Sequence, residues 1–300
     1  MSDVLTEIAG RICDDDPKYA PTLSAHLARM DDAFRKRARL FFGRYVAYLE
    51  SAGRTLDFGL ECFRRLRASV QEERIKFLRS GRYANESFAD VNRAVYGNPE
   101  MMQSYIHGLA FAQFLWPEQY RRFSFFCENL DAYRDSIDSY LEVGGGHGLY
   151  VMEASQRLRP RTRFDVVDIS TSSLELAKGV ATDPRIHYQL TDIFDLPDRP
   201  QYDFITMGEV LEHVERPREL LAKIRTLLSD RGHAYITTPA NAPMVDHIYL
   251  FRSADEIRAM LHESGFSIER EVTQYAADLP VERCIALKTP LMFGAFVANA

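Results

Sequence analysis

The stretch Tyr140-Leu-Glu142-Val-Gly144-Gly145-Gly146-His147-Gly148 constrains the fold more than any other part of this 300-residue chain. A short apolar run of β character ends in glycines, and an amphipathic helical pattern begins at Tyr150. Glycines at a strand-to-helix turn let a ligand approach the backbone closely and place it at the helix N-terminus. The dinucleotide spacing G-x-G-x-x-G is not met, because Leu149 stands where the third glycine belongs; the spacing is acidic-x-G-x-G-x-G. Alone, such a loop could equally be a tight turn that packs a helix onto a strand.

The surrounding pattern narrows the choice. Candidate strands fall at Ser139–Val143, Arg163–Val167, Ile186–Leu190, Tyr202–Met207, His233–Thr238, Phe266–Val272 and Met292–Ala298. Helical patterns at Tyr150–Leu158, Leu174–Ala181 and Pro217–Leu228 lie between the early strands, and Ser172-x-x-Glu175 and Ser253-x-x-Glu256 read as capping boxes. Strand–helix alternation of this kind predicts an α/β fold, a mostly parallel sheet with helices on both faces. Residues 1–130 differ: apolar residues recur at helical spacing (Leu40, Phe41, Tyr45, Tyr48, Leu49; Phe63, Leu66, Val70), so an all-helical unit is expected there and the sheet unit in 131–300. Charge follows the same division, +2 in the first segment and −8 in the second. The basic run Arg35-Lys36-Arg37-Ala38-Arg39, one turn after Asp31 and Asp32, reads as a solvated helix face.

Acidic residues close successive strands. Asp168 ends the second, where a carboxylate can accept both hydroxyls of a ribose. Asp192 follows the third, placed to meet an adenine amino group. With Glu142 they fit a nucleoside without phosphates, since phosphate would call for Lys or Arg in these loops. At this point the chain resembles a family. LEVGGGHG, FDVVDIS, LTDIFDLP, YDFITMGEVLEHVERP and the GFSIER…FGAFVAN tail, in order over residues 139–298, resemble the class I S-adenosylmethionine (SAM)-dependent methyltransferases, small-molecule type with an N-terminal helical lid. The resemblance implies a seven-stranded Rossmann-like sheet with a reversed last strand, and SAM as co-substrate. It would place Glu142, Gly144 and Gly146 along the methionine moiety, Asp168 and Ile169 at the ribose, Asp192 and Ile193 at the adenine, and Met207, Gly208 and Glu209 near the sulfonium.

Methyl transfer from a sulfonium needs an acceptor held in line and, where the acceptor carries a proton, a base. Glu209, Glu212 and His213 follow the fourth strand at i, i+3 and i+4, which on a helical turn is one face, and His213 could serve as base. E-x-x-E-H with the later His247 resembles the divalent-metal motif of small-RNA 3′-terminal 2′-O-methyltransferases. Glu209, Glu212, His213 and His247 are thus a possible metal set, though a structural role for the motif is expected and no metal. In the helical half, Tyr105, His107, Gln113, Trp116 and Tyr120 combine aromatic faces with polar tips and are candidates to line the acceptor site, with Tyr105 also a catalytic candidate. The same residues would suit a helix packing its own core.

A net charge of −6 argues against nucleic acid or an anionic membrane as partner. Four scattered cysteines form no C-x-x-C pair, and the opening residues have no apolar signal core, so a cytoplasmic protein is expected, with a homodimer possible. Two rivals share the motifs: a SAM-using enzyme that releases methylthioadenosine, and a non-catalytic SAM-binding subunit.

Overall fold

The structure is a computed structural model that describes residues 3–199 and 201–300. The seven strands are β1 (Ser139–Val143), β2 (Arg163–Asp168), β3 (Ile186–Leu190), β4 (Tyr202–Gly208), β5 (Leu228–Ala240), β6 (Phe266–Tyr275) and β7 (Leu291–Asn299). They form one sheet in the order β3-β2-β1-β4-β5-β7-β6. β1 to β5 pair in parallel, and β7 runs antiparallel between β5 and β6. Each predicted strand is present; β5 starts five residues earlier than its apolar run, at Leu228. The chain winds outward from β1 through β2 to β3, then crosses to β4. This reversal opens a crevice beyond the carboxyl ends of β1 and β4, the place where open α/β sheets bind ligands.

Both faces of the sheet are buried at its centre, so β1, β4 and β7 read as nearly continuous apolar runs, while the edge strands β3 and β6 are largely solvent-facing. Leu141, Val143, Ile205, Met207 and Ile236 point to one side, which is closed by α10 (Pro217–Leu227) and α11 (Ala254–Glu263). Tyr140, Phe164, Phe204, Tyr235 and Phe296 point to the other, under α7 (Pro117–Asn129), α8 (Leu149–Arg157) and α9 (Thr171–Val180). α9 is capped by Ser170, whose hydroxyl accepts the Ser173 N–H at 3.2 Å, rather than by Ser172. At α11, Ser253 caps as its motif predicts, accepting the Glu256 N–H at 3.2 Å.

The helices before α7 are α1 (Val4–Asp15), α2 (Ala20–Ala28), α3 (Asp32–Ser51), α4 (Leu56–Ser80), α5 (Phe88–Val91) with a π-turn at Asn92–Tyr96, and α6 (Pro99–Leu115). They share one continuous core with the sheet. Phe41, Phe111 and Phe114 belong to the same buried cluster as Tyr140, Tyr150 and Phe296. α7 was expected within the helical half, yet its Phe126 ring lies 5.3 Å from Tyr235 and 5.1 Å from Tyr150, so it is a sheet-covering helix. Arg37, read as solvated, is half-buried. It reaches the Tyr120 hydroxyl at 3.1 Å and Glu153 of α8 at 3.5 Å, tying α3 to the sheet unit. Among the described residues no helix is long and apolar enough to cross a membrane.

The α4–α6 crossing turns on Gly108. A Cβ there would lie 2.8 Å from the Cys62 carbonyl oxygen and 2.9 Å from Leu66 Cβ. Backbone and Cβ atoms cannot swing away, so Gly108→Ala is expected to force the helices apart and to cost about 1–3 kcal/mol, as overpacking does. Urea denaturation measures this, and an unchanged midpoint would show that the crossing is looser than its contacts indicate.

Candidate active site

The glycine loop folds as its spacing predicts. Gly146 has φ +48, a left-handed conformation that side chains rarely adopt. A Cβ on Gly145 would sit 2.3 Å from Val166 Cγ1 of β2, so this position needs glycine on packing grounds. The loop leads into α8, whose N-terminus faces the crevice. Asp168 at the end of β2 braces the loop: its carboxylate accepts the Gly146 N–H at 3.1 Å and the Ser170 N–H at 2.7 Å. Burial pushes its carboxyl up to about 6, against the pull of those two N–H groups. Glu142 is more deeply enclosed, and burial pushes its carboxyl up to about 8, although the Tyr140 hydroxyl donates to it at 3.3 Å.

A cavity of about 370 Å³ occupies the crevice. Of the residues predicted for the cofactor, Glu142, Gly144, Gly146, Asp168, Ile169, Asp192, Ile193 and Gly208 line it. Met207 does not. Side chains alternate along β4, so its neighbour Gly208 faces the cavity while Met207 is buried in the core on the α10 side. Asp192 caps the short 3-10 turn Ile193–Asp195 by accepting the Phe194 N–H at 3.0 Å.

The groups after β4 depart from the predicted single helical face. Glu209 has φ +56, and only Leu211–His213 form a 3-10 turn. The backbone reversal turns Glu209 away and leaves Glu212 and His213 side by side. Glu209 pairs with Arg122 of α7 and accepts the Thr237 hydroxyl at 3.1 Å. Glu212, fully buried, accepts the Thr238 hydroxyl at 2.8 Å, and burial pushes it up to about 8. His213 meets Asp246, with Nδ1 3.0 Å from the Asp246 carbonyl oxygen and 3.5 Å from its carboxylate. Burial opposes charge on His213, but Asp246 and Glu212 outweigh it and hold the ring above its ordinary value.

Glu212, His213 and His247 could hold a divalent cation, since one ligand atom of each lies within 4.8 Å of the others. Glu212 Oε1 is 3.8 Å from His213 Nε2 and 3.9 Å from His247 Nε2 and has no hydrogen-bond partner among the described residues. Two imidazoles and a carboxylate suit a cation of intermediate softness. Glu209, the fourth member of the predicted set, is turned away to Arg122.

Of the helical-half candidates, Tyr105 and Gln113 line the cavity. Tyr105 donates to the Asp246 carboxylate at 2.7 Å. The other three lie in the helical core. His107 is buried, with Nδ1 2.8 Å from the Tyr45 hydroxyl, and burial pushes it down to about 4. Trp116 packs on Phe63, and Tyr120 packs edge-on to Phe34 and accepts from Arg37. From Tyr105 to Leu115 every position of α6 but Leu109 is buried, so this stretch carries no period that separates the cavity side from the core side. Three residues that matter to the cavity escaped sequence reading: Arg122, Tyr96 and Asp246. Arg122 follows Arg121 in an amphipathic helix, and nothing local marks which of the two is buried.

Comparison with known proteins agrees with the geometry. A family model described as a methyltransferase domain matches residues 116–271, just over half of the chain. The mitochondrial ubiquinone biosynthesis O-methyltransferase of Candida albicans is 34% identical over 109 residues, 35% of this chain and 33% of that protein. Among curated relatives matched, the matched stretch spans from 33% to 60% of their length. The N-methyltransferase NodS of Bradyrhizobium japonicum, solved with S-adenosylhomocysteine, superposes with a TM-score of 0.50 at 16% identity, covering 72% of this chain and 99% of its own. Phosphoethanolamine N-methyltransferase 2 of Haemonchus contortus, solved with SAM, gives 0.54 at 13% identity over 72% of this chain and 60% of its own. At such identities the two structures speak to the fold alone. The glycine loop, the strand-end carboxylates and the reversed seventh strand stand inside or beside the matched span, and the chain belongs to the methyltransferase-domain family with the class I, SAM-dependent architecture.

Proposed function

We propose that the protein transfers the methyl group of SAM to a small-molecule acceptor. One observation carries this reading: a single cavity joins the glycine loop and Asp168 to the lid residues Tyr96 and Tyr105, so nucleoside and acceptor can share one enclosed space. Adenosine would lie between Asp168, Ile169, Asp192 and Ile193, with the exposed rings and chains of Ile169 and Phe194 over the base. The methionine end would run along Gly144–Gly146 toward Gly208, where the buried Arg122 can face its carboxylate. The acceptor would approach from the side of Tyr96, Tyr105 and Met244.

In the transfer, the acceptor's lone pair forms the new bond to the methyl carbon, the S–CH₃ bond breaks, and its electron pair returns to sulfur as the neutral thioether. The acceptor's proton leaves to a base. His213 suits that role: its Nδ1–H is directed at the Asp246 carbonyl, which leaves Nε2 as the proton-accepting atom. Positioning supplies the rest, up to about 7–11 kcal/mol of the barrier. Incubating purified protein with SAM and a pool of small metabolites, with mass detection, tests the reading. S-adenosylhomocysteine formed only with the pool supports it, and methylthioadenosine formed without acceptor overturns it.

Asp168 gives a sharper test. Asp168→Ala is expected to weaken SAM binding by about ten- to a hundredfold, or about 1.5–3 kcal/mol, as for hydrogen bonds to a charged group. Because its carboxyl is raised to about 6, the charged form that receives the ribose hydroxyls is complete above that pH and is lost below it. Affinity should therefore fall as pH drops through about 6 in the parent protein and stay flat in the alanine variant. Calorimetry across that range reads both; a pH dependence that survives the substitution would assign the effect to another group.

A further inference from the structure

We propose that the acceptor is an elongated molecule, and that a groove between α4 and α6, bordering the crevice at Tyr105, receives its distal chain. This rests on the methyl-transfer reading. The crevice, at about 370 Å³, lies near the small end of ligand pockets, which run from about 300 to 1,000 Å³. It must nevertheless take SAM together with the reacting head of the acceptor. Whatever the acceptor carries beyond that head needs another space, and a second cavity of about 280 Å³ adjoins the first.

The two helices open this groove through their own sequences. α4 and α6 touch at Gly108, where a Cβ would lie 2.9 Å from Leu66 Cβ. From that contact toward the start of α6, the groove is walled by Ser69 on α4 and by Ser104 and Met101 on α6. Protein interiors are close-packed, and side chains the size of leucine in place of the two serines would close the space. It stays open instead, and it meets solvent beside the exposed Arg65 and Glu100. From Tyr105 to Pro99 α6 rises about 9 Å, which sets the length of chain the groove can hold.

Tyr105 alone among the described residues lines both spaces. Its hydroxyl lies on the crevice side, 2.7 Å from Asp246 Oδ1 and 3.9 Å from Met244 Sδ, so this one side chain is the partition. A change of its rotamer joins groove and crevice. The walls define the chain that fits. Leu66 and Met101 are apolar, whereas Ser69, Ser104 and Asn98 are polar and uncharged. Asn98 Oδ1 accepts the Met101 N–H at 3.1 Å, which leaves the side-chain N–H groups of Asn98 to donate. Arg65 and Glu100 are opposite in sign and lie in water, and Arg65 already donates to Glu61 at 2.8 Å, so neither favours a charged end. The groove therefore suits a chain with an apolar middle and an uncharged polar end.

The test uses the full-length protein saturated with S-adenosylhomocysteine and two probes with one head, 4-methylphenol and 4-(8-hydroxyoctyl)phenol, with binding read by calorimetry. The long probe is expected to bind at least tenfold tighter than the short one, and also tighter than octane-1,8-diol, which has the chain without the head. Ser104→Trp, which fills the groove and lines no part of the crevice, is expected to narrow the long-to-short ratio at least fivefold with SAM and short-probe affinities unchanged. Ser69→Cys in a Cys13→Ser background provides a block made after folding, since the other three cysteines are buried: a bulky maleimide on this thiol should narrow the ratio as the tryptophan does. A long probe that binds no tighter than the short one, a diol that binds as well as the long probe, a thiol at 69 that does not react, or a ratio that neither block moves overturns the proposal. Absence of S-adenosylhomocysteine binding to the parent protein would instead overturn the methyl-transfer reading beneath it.

Discussion

Replacing Arg122 with methionine is expected to lower the unfolding free energy by about 2–4 kcal/mol, near the lower end of what removing one partner of a buried ion pair costs. Arg122 is 2% exposed, and its guanidinium reaches Glu209, the Gln119 side chain and, at 3.4 Å, the Thr237 hydroxyl. Methionine fills much of the volume, so the loss comes from charge rather than from a cavity. Glu209 would keep its negative charge without the cation, in a backbone conformation, φ +56, that holds it in place. Partial solvent access to Glu209, whose side chain is 28% exposed, sets the figure below that of a fully enclosed pair. The double variant Arg122→Met with Glu209→Gln should recover part of the loss, because the uncompensated charge is gone. Urea unfolding of the four proteins of this cycle gives the coupling directly. A loss under about 1 kcal/mol for the single variant would show that water already solvates Glu209. SAM affinity should fall in the same variant if Arg122 faces the methionine carboxylate.

Removing residues 1–130 is expected to leave a chain without a cooperative fold, although the sequence division at that point suggests a sheet unit able to stand alone and keep a weakened nucleoside site. α7 lies within the deleted segment and covers Tyr150, Tyr235 and Phe296. Exposing three such side chains costs roughly 1.5–3 kcal/mol each, and α3 and α6 cover more of α9. The sum approaches the roughly 5–15 kcal/mol that holds a domain together. Calorimetric melting and dye binding to exposed apolar surface report the outcome. A sharp melting transition with SAM affinity close to that of the full chain would establish an independent sheet domain. The match of the family model from residue 116 onward, ahead of α7, agrees with placing α7 in the sheet unit.

These expectations follow the line between what was legible in the sequence and what was not. Strand periodicity and strand-end chemistry were legible because each depends on a few neighbouring residues. Val-Val-Asp168 needs only a strand direction to place its carboxylate at the crevice, and the glycine loop needs only its own backbone angles. The E-x-x-E-H segment departs from the expected face at Glu209 alone: its positive φ breaks the turn and directs it to Arg122, while Glu212 and His213 remain together with His247. The helical half failed differently. The Tyr105–Leu115 stretch of α6 is buried on almost every side, and periodicity cannot tell a cavity wall from a core when both are apolar.

By itself the sequence determined the order of strands and helices, the glycine turn after β1, and the acidic residues that stand at or just after the ends of β1, β2 and β3, since all of these are set by local backbone preference and side-chain alternation. Tertiary structure alone decided which residues meet in the cavity. Arg122 joins Glu209 across 87 positions and Tyr105 joins Asp246 across 141, and such partners are chosen by how α6 and α7 seat on the sheet, a matter of packing that no local pattern records.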